Sequence, residues 1–117
     1  MQAGHEFRIV WCTFPDLETA RQIGTTLVEN QLAACVNLCP HLESIYRWQG
    51  AVETSPEVLA ILKTTATALP TLERELRRLH PYEVPEIVTL QPEEVAETYA
   101  AWWLQSVNPL ASQHGGE

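Results

Sequence analysis

The stretch "LESIYRWQGAVETSPEVLAILKTT", residues 42–65, predicts a long β-hairpin in the middle of the chain. Polar and apolar residues alternate over residues 42–48, which is the period of a strand, and Gly50 offers the permissive backbone that a tight turn requires. A second strand is expected over about residues 52–64. Because Pro56 donates no ladder hydrogen bond, the outer half of this hairpin is expected at a sheet edge or in an irregular segment.

Further strands and helices are predicted on both sides of the hairpin. Upstream, the apolar and β-branched residues 7–13 are typical of a buried strand that leads into a helix. Residues 33–39 predict a strand that Pro40 interrupts before the alternation resumes in the hairpin. Downstream, leucines recur at helical spacing, and the short strand "IVTL" follows at residues 87–90. These leucines are Leu69, Leu72, Leu76 and Leu79.

The predicted elements follow the order β-α-β-β-α-β with a C-terminal helix. This is the order of an α+β, ferredoxin-like split βαβ domain, in which two helices pack on one face of a four-stranded sheet. We expect one domain over residues 1–117, with a core of about residues 8–106 and a loosely ordered tail over residues 108–117. The C-terminal helix is expected to begin at Pro92 and to bury four residues, Val95, Tyr99, Trp102 and Val107.

Two features of this arrangement favour self-association. One face of the sheet has no helices of its own, and the hairpin carries Ile45, Tyr46 and Trp48 near an unpaired strand edge. A homo-oligomer joined through the hairpins buries this surface economically. Tyr46, Trp48 and Tyr82 fit that packing role, or alternatively a stacking surface for a small molecule.

The composition argues against several classes of function. Seven Lys and Arg residues against fifteen Asp and Glu residues give a net charge of −8, and an acidic surface repels nucleic-acid phosphates and anionic lipids. No apolar run approaches the roughly 20 residues that span a bilayer. The N-terminal residues lack the features of a secretory signal, and three cysteines without a CxxC pair are typical of reduced thiols. We therefore expect a soluble cytoplasmic protein without nucleic-acid or membrane partners.

Cys12 is the strongest candidate for chemistry among the cysteines. It ends an apolar strand just before a helix start, where backbone N–H groups and the helix dipole are expected to stabilise a thiolate; a packed core thiol is the alternative. In a ferredoxin-like sheet the first and last strands are antiparallel neighbours, so Cys12 lies near Glu86. A thiol, a carboxylate and the imidazole of His80 are ligands that copper or zinc accepts.

The other candidate residues also have two interpretations. His80 follows the second helix directly and Pro81 prevents its continuation, so capping of the helix C-terminus is the alternative to a ligand role. Lys63 ends the strand "ILKTT" and either flanks a sheet edge or holds an anionic ligand. Together with Trp48 and Tyr82 it forms a predicted ligand cleft.

The segment "CVNLCPH" at residues 35–41 is a weak metal motif. An extended strand separates Cys35 from Cys39 by about 13 Å, which is too far for a disulfide or a shared metal ion. Cys35 is therefore expected to be a buried free cysteine.

Five motifs resemble the CutA divalent-cation tolerance family. They are "CTFPD" at residues 12–16, "LAACVN" at 32–37, "SIYRWQG" at 44–50, "EVLAILKTT" at 57–65 and "HPYEVPEI" at 80–87. Each motif is weak alone, but the five in the family's order are specific, and the match covers roughly residues 8–106. The resemblance implies a cytoplasmic homotrimer of ferredoxin-like subunits, similar to the PII signalling proteins, with long hairpins linking the subunits.

The resemblance also implies a non-enzymatic role in tolerance to copper and other divalent metals, with Cys12 and Glu86 at the metal site. In some relatives the histidine of that site directly precedes the "HPY" triplet, and Leu79 occupies this position here. Either His80 substitutes for that histidine, or the copper site is weakened or absent. The alternative function is a PII-like sensor that binds a small anionic metabolite between subunits through Lys63 and residues 80–86. A trimeric scaffold for another protein is a third interpretation.

Overall fold

The computed structural model describes residues 1–109. Residues 110–117, which make up most of the predicted tail, lie outside the described residues. A 3₁₀ turn at Gly4–Glu6 joins the first two strands. The strands and helices are β1 Gln2–Ala3, β2 Phe7–Phe14, α1 Leu17–Glu29, β3 Cys35–Trp48, β4 Ala51–Thr65, α2 Leu69–Leu79, β5 Ile87–Leu90, β6 Glu94–Val95 and α3 Glu97–Ser106.

Four of the strands form an antiparallel sheet in the order β3-β4-β2-β5. In this sheet Cys12 is paired with Ala60 on one side and with Ile87 on the other. The predicted α+β, ferredoxin-like order is confirmed, including the adjacency of the first and last predicted strands. The predicted strand at residues 87–90 has the bounds that β5 shows.

The hairpin of β3 and β4 is continuous, but only its inner half is also paired with β2. It turns at Gln49 and Gly50, whose φ angles of 49° and 84° lie in the left-handed region that favours glycine. The β3–β4 register shifts between Cys39 and Leu42, next to the predicted interruption. β2 pairs with residues 58–65 of β4, whereas residues 51–57 pair only with β3. Pro56 therefore lies on a free strand edge, as predicted.

A hydrophobic core lies between the sheet and the helices α1 and α2. Alternate residues of β2 point into it, as do the predicted leucines Leu72 and Leu76 of α2, which are fully buried. Each such side chain stabilises the fold by about 1.5–3 kcal/mol through burial. The members at the end of β2 that bear on the functional site are Val10, Cys12 and Phe14.

The second core forms around α3 and corrects the prediction for this helix. The predicted stripe is wrong in part, because Tyr99 and Trp102 are 36% and 44% exposed. Ala100 and Trp103 are buried instead, with Phe7, Ala34 and Val95. Trp103 donates a hydrogen bond from its indole N–H to the carbonyl of Thr64 at 2.9 Å, which ties α3 to β4.

The cause of this error is a pairing that the sequence does not signal. Glu94–Val95 forms a two-stranded sheet with Gln2–Ala3, so the helix begins only at Glu97 and a different set of residues faces the core. Gly4 donates its backbone N–H to the carbonyl of Glu93 at 3.0 Å. A Cβ atom on Gly4 would lie 1.7 Å from the carbonyl oxygen of Pro92, so only glycine permits this approach.

Part of the sheet face opposite α1 and α2 remains open in the single chain. Trp11, Val88 and Leu90 are 38%, 48% and 47% exposed there. The expected uncovered apolar surface is thus present, beside the area that α3 covers. Within residues 1–109, no helix has the length and apolar character needed to cross a membrane.

Candidate functional site

A groove of about 710 Å³ lies between the β3–β4 hairpin and the loop of residues 81–86. Four glutamates line it, and among residues 1–109 no Lys, Arg or His side chain does. We call this feature the acidic groove. Its carboxylates are Glu53, Glu57, Glu83 and Glu86, and its aromatic residues are Tyr46, Trp48 and Tyr82. Like charges focused in one cleft attract cations and repel anions.

Strand alternation explains which hairpin residues face the acidic groove. Tyr46 is paired with Glu53 and Ser44 with Ser55, and every second residue of a strand lies on the same side. Tyr46 and Ser55 share a hydrogen bond of 2.7 Å between their hydroxyl groups. The outer half of the hairpin therefore presents one wall of ordered polar and aromatic side chains.

The opposite wall begins where α2 ends. His80 caps this helix through its backbone N–H, which donates to the carbonyl of Leu76 at 2.9 Å. The helix thus ends at His80, but the expected capping by the imidazole is wrong, because both ring nitrogens bond to Thr13 and Tyr82 and not to the carbonyls of α2. Pro81 and Tyr82 then leave the helix direction and line the acidic groove.

The imidazole of His80 is engaged at both nitrogens. Nδ1 accepts the backbone N–H of Tyr82 at 3.1 Å, so Nε2 carries the proton and donates to the carbonyl of Thr13 at 2.8 Å. The ring stacks on Phe14 with centroids 4.7 Å apart. Burial lowers the pKa of His80, so the ring favours its neutral form. His80 joins the end of β2 to the loop of the acidic groove.

Tyr82 connects that loop to the hairpin. Its hydroxyl donates to Oε2 of Glu57 at 2.7 Å across the acidic groove. Burial is the main cause that raises the pKa of Tyr82, and the hydrogen bond to Glu57 raises it further. The phenol remains protonated at neutral pH and holds the two walls at a fixed separation.

Cys12 does not face the acidic groove. Its side chain is fully buried in the core under α1 and α2, whereas the next residue, Thr13, lines the groove. The thiol donates a weak hydrogen bond to the carbonyl of Thr13 at 3.8 Å. Burial raises the pKa of Cys12 from 9.0 to about 12, with smaller effects from the negative charges of Glu86 and Glu57. The predicted thiolate stabilisation at the helix start is therefore wrong, and the packed core thiol is what the structure shows.

The three predicted metal ligands lie near one another without sharing a cavity. Glu86 lines the acidic groove, Cys12 lies on the other side of the sheet, and His80 has both nitrogens in hydrogen bonds. Among residues 1–109, no three His, Cys, Asp or Glu side chains are arranged to hold a metal ion. These three residues do not form a preassembled metal site.

The three residues of the predicted ligand cleft do not line one cavity either. Trp48 and Tyr82 both line the acidic groove, but Lys63 is not among its lining residues. Lys63 donates to the hydroxyl of Tyr99 at 2.9 Å and lies 5.2 Å from the centre of that ring. The cation is thus held at α3 by a hydrogen bond and a cation–π contact.

The other two cysteines are free thiols, as the spacing predicts. Cys35 is half-buried rather than buried, and Cys39 is exposed. Sequence reasoning missed Glu53, Glu57 and Glu83 as site residues. Glu53 and Glu57 carry a usable signal, because they share the alternation of Tyr46 and Trp48 along the hairpin.

The fold and the acidic groove define a class of protein: a small α+β domain with a ferredoxin-like sheet, whose long hairpin carries a groove suited to cations. The family profile described as CutA1 divalent ion tolerance protein matches residues 8–106. This chain belongs to the CutA1 family. The resemblance noted from the five motifs is thereby confirmed.

Relatives and solved structures agree with this assignment. The chain is 50% identical over 94 residues to the divalent-cation tolerance protein CutA of Thermus thermophilus, which covers 80% of this chain and 91% of the relative. It is 42% identical over 90 residues to protein CutA of Mus musculus, covering 77% of this chain but 51% of that longer protein. A solved divalent cation tolerance protein from Thermus thermophilus superposes with a TM-score of 0.84 at 46% identity, covering 87% of this chain and 99% of that structure.

Proposed function

We propose that this chain acts in divalent-cation tolerance as a cytoplasmic, homotrimeric protein that binds metal cations, copper among them, without enzymatic turnover. The observation that carries the proposal is the acidic groove, in which four glutamates face one cavity that no basic side chain of residues 1–109 lines. Membership of the CutA1 family supports the relation to divalent cations. The acidic surface also makes nucleic acids and anionic membranes unfavourable partners.

The homotrimer is proposed from the surfaces that a single chain leaves open. Trp11, Val88 and Leu90 expose apolar area on the sheet, and Ile45 and Val52 of the hairpin are each 67% exposed. The strands β3 and β5 are the two edges of the sheet, and free edges pair readily with another copy. A ring of copies would cover both features.

We propose that cations first meet Glu57 and Glu86 of the acidic groove. A divalent cation gains from both carboxylates, whose charges already act together on the buried thiol of Cys12. Cys12 and His80 stay proposed ligands for copper, since thiolate and imidazole suit it better than carboxylate. Their participation requires the end of β2 to open, because the thiol is buried and the imidazole is bonded at both nitrogens.

The absence of enzymatic turnover is proposed from the state of the reactive groups. The Cys12 thiol, with its pKa raised to about 12, stays protonated at neutral pH and is a poor nucleophile. Tyr82 is held as a hydrogen-bond donor to Glu57. The states of these two groups support binding without turnover.

One observation favours the alternative, a PII-like sensor of a small metabolite between subunits. Trp48 and Tyr82 line a cavity whose volume falls in the range of small-molecule sites. An anionic ligand would need positive charge from elsewhere, because no Lys, Arg or His of the described part of the chain lines the groove. In this alternative, Lys63 or another cation would have to come from a neighbouring subunit.

The test is an anaerobic competition titration with copper(II), the divalent ion, and a chromophoric chelator. Glu86→Gln is expected to weaken copper binding at least tenfold, while Glu94→Gln, at an exposed glutamate outside the acidic groove, leaves it unchanged. Cys12→Ser decides whether the thiol is recruited: equal losses in Cys12→Ser and Glu86→Gln would establish an opened Cys12 site. Tight binding that Glu86→Gln does not alter would contradict the proposal.

A further inference from the structure

The outer surface of α2 carries a large share of the positive charge of this acidic chain. Arg74, Arg77 and Arg78 are three of the seven Lys and Arg residues, and all three are exposed. Together with Pro70 and Glu73 they line one shallow depression along the helix. We call Pro70 and the three arginines the basic stripe. Its ends are eight positions apart, so the stripe is about 12 Å long at the rise of an α-helix.

The basic stripe faces away from the core and from the surfaces that the proposed trimer uses. Leu72 and Leu76 point into the core, and Arg74 lies midway between them, about 200° of helix rotation from each. The apolar sheet face with Trp11 and Val88 is on the other side of the sheet from α2. The hairpin and the edge strands contain no residue of the stripe. A partner from outside the trimer can therefore reach it.

Two guanidinium groups of the basic stripe remain available to a partner. Arg78 is already in an ion pair within α2, but within residues 1–109 no carboxylate forms an ion pair with Arg74 or Arg77. Glu73, one turn before Arg77, instead accepts a hydrogen bond from the hydroxyl of Thr89 at 3.3 Å. Helix stability explains only part of this pattern, because cations stabilise the last turn of a helix and Arg74 lies before that turn.

The arrangement of the charges suits an extended acidic peptide. Arg74 and Arg78 are four positions apart, which corresponds to a rise of about 6 Å along the helix. Alternate residues of an extended peptide are about 6.6 Å apart, so carboxylates at alternate positions can meet successive arginines. The stripe is long and shallow, whereas a small anion is held best where donors converge in a cavity.

Net charge favours a short peptide over a nucleic acid. A long phosphate chain is repelled by the whole protein, whose net charge is −8. A short peptide on the stripe interacts mainly with charges within the screening length, which is about 8 Å at physiological ionic strength. The local positive charge of the arginines therefore outweighs the distant negative charge for a short ligand.

We propose that the basic stripe docks an extended acidic segment of a partner protein, whose alternate Asp or Glu side chains pair with Arg74, Arg77 and Arg78. Arginine forms bidentate hydrogen bonds with carboxylates, which adds geometric specificity to the attraction between charges. None of these arginines lines the acidic groove, so the inference goes beyond the proposed function and does not depend on metal binding.

Fluorescence anisotropy with two labelled peptides tests this inference. One peptide alternates Glu and Ser, the other alternates Gln and Ser, and the full-length protein is titrated into each. The acidic peptide is expected to bind at least tenfold more tightly than the neutral one, and its affinity is expected to fall as salt is added. Equal affinity for the two peptides would overturn the inference, because the carboxylates would then contribute nothing.

Variants locate the docking surface. Arg74→Glu is expected to weaken binding of the acidic peptide about tenfold. Arg21→Glu, at an exposed arginine of α1, makes the same change in net charge and should leave the affinity within about twofold. Arg77→Gln makes the same test if Arg74→Glu does not fold. An equal loss in the Arg21 variant, or no loss in either stripe variant, would contradict the proposed surface.

Two further titrations separate the alternatives. A thymidine oligonucleotide that displaces the acidic peptide at an equal concentration of negative charge would overturn the choice of a peptide. Peptide binding that depends on Arg74, in a protein without copper affinity, would uphold the basic stripe and sink the metal proposal. Copper binding that depends on Glu86, in a protein that does not bind the acidic peptide, would overturn this inference alone.

Discussion

The inner and outer halves of β4 belong to one strand but have different roles: the inner half is part of the core, and the outer half lines the acidic groove. Residues 58–65 are paired with β2, and residues 59–63 also with β3. Alternate residues lie under α1 and α2, so Val58, Ala60 and Leu62 are buried. Residues 51–57 are paired on one side only, and Glu53 and Glu57 line the acidic groove. The same two-residue period builds a core where other layers cover the strand and a binding surface where nothing covers it.

The largest loss of unfolding free energy is expected from a substitution in the inner half. Leu62→Ala removes a side chain that is 1% exposed and should lower the free energy of unfolding by about 2–5 kcal/mol, through lost burial and the cavity left behind. Thr54→Ala, at an exposed polar residue of the outer half, should cost less than about 1 kcal/mol. Urea unfolding at one fixed protein concentration measures both, since oligomerisation makes stability depend on concentration. Equal losses would show that another copy covers the outer half in solution.

The second prediction uses Cys12, the neighbour of Ala60 in the inner half. Its pKa rises from 9.0 to about 12 on folding, so the fold favours the protonated thiol. The stabilisation is fully present below pH 9 and is lost as the pH rises from 9 towards 12, at up to about 1.4 kcal/mol per pH unit. Unfolding measured between pH 8 and pH 10.5 should therefore show a steeper alkaline loss for the native protein than for Cys12→Ala.

Cys39→Ala is the matched control for removal of a thiol, because Cys39 is exposed. Parallel alkaline curves for the native protein and Cys12→Ala would mean that the thiol is accessible to solvent. That outcome would mean that Cys12 is a candidate metal ligand and not a core thiol.

The smallest loss of unfolding free energy is expected from a substitution at the acidic groove, beside the outer half. Tyr82→Phe removes the 2.7 Å hydrogen bond to Glu57 that joins the loop to the hairpin. We expect a loss of about 1 kcal/mol in unfolding free energy, together with faster amide exchange in residues 82–86, since the loop loses its tie. Tyr99→Phe, which loses a hydrogen bond to Lys63 outside the acidic groove, is the control. Unchanged exchange in the loop would show that His80 alone holds it.

Much of the fold follows from local patterns. Gly50 indicates the turn, Pro56 indicates the free edge, and the leucine spacing gives α2. The start of α3 does not follow, because Pro92 resembles a helix start while the pairing of Glu94–Val95 with the distant Gln2–Ala3 delays the helix. Local signals describe an element well until a long-range partner competes for the same residues.

The candidate site follows from the sequence less completely than the fold does. Topology places Cys12 beside Glu86 in the chain trace, yet β2 is apolar on both faces, so its sequence does not tell which side each residue takes. The contact between Tyr82 and Glu57 joins residues 25 apart in the sequence and depends on the path of the loop after His80. Glu86 could be anticipated from the order of strands, whereas the acidic groove as a whole could not.

Cation binding in the acidic groove can be tested by anomalous diffraction at the copper absorption edge from crystals soaked with copper. We expect an anomalous peak within coordination distance of Glu57 or Glu86, and no such peak in the same place for Glu86→Gln. A strong peak elsewhere on the chain, with the acidic groove empty, would contradict it.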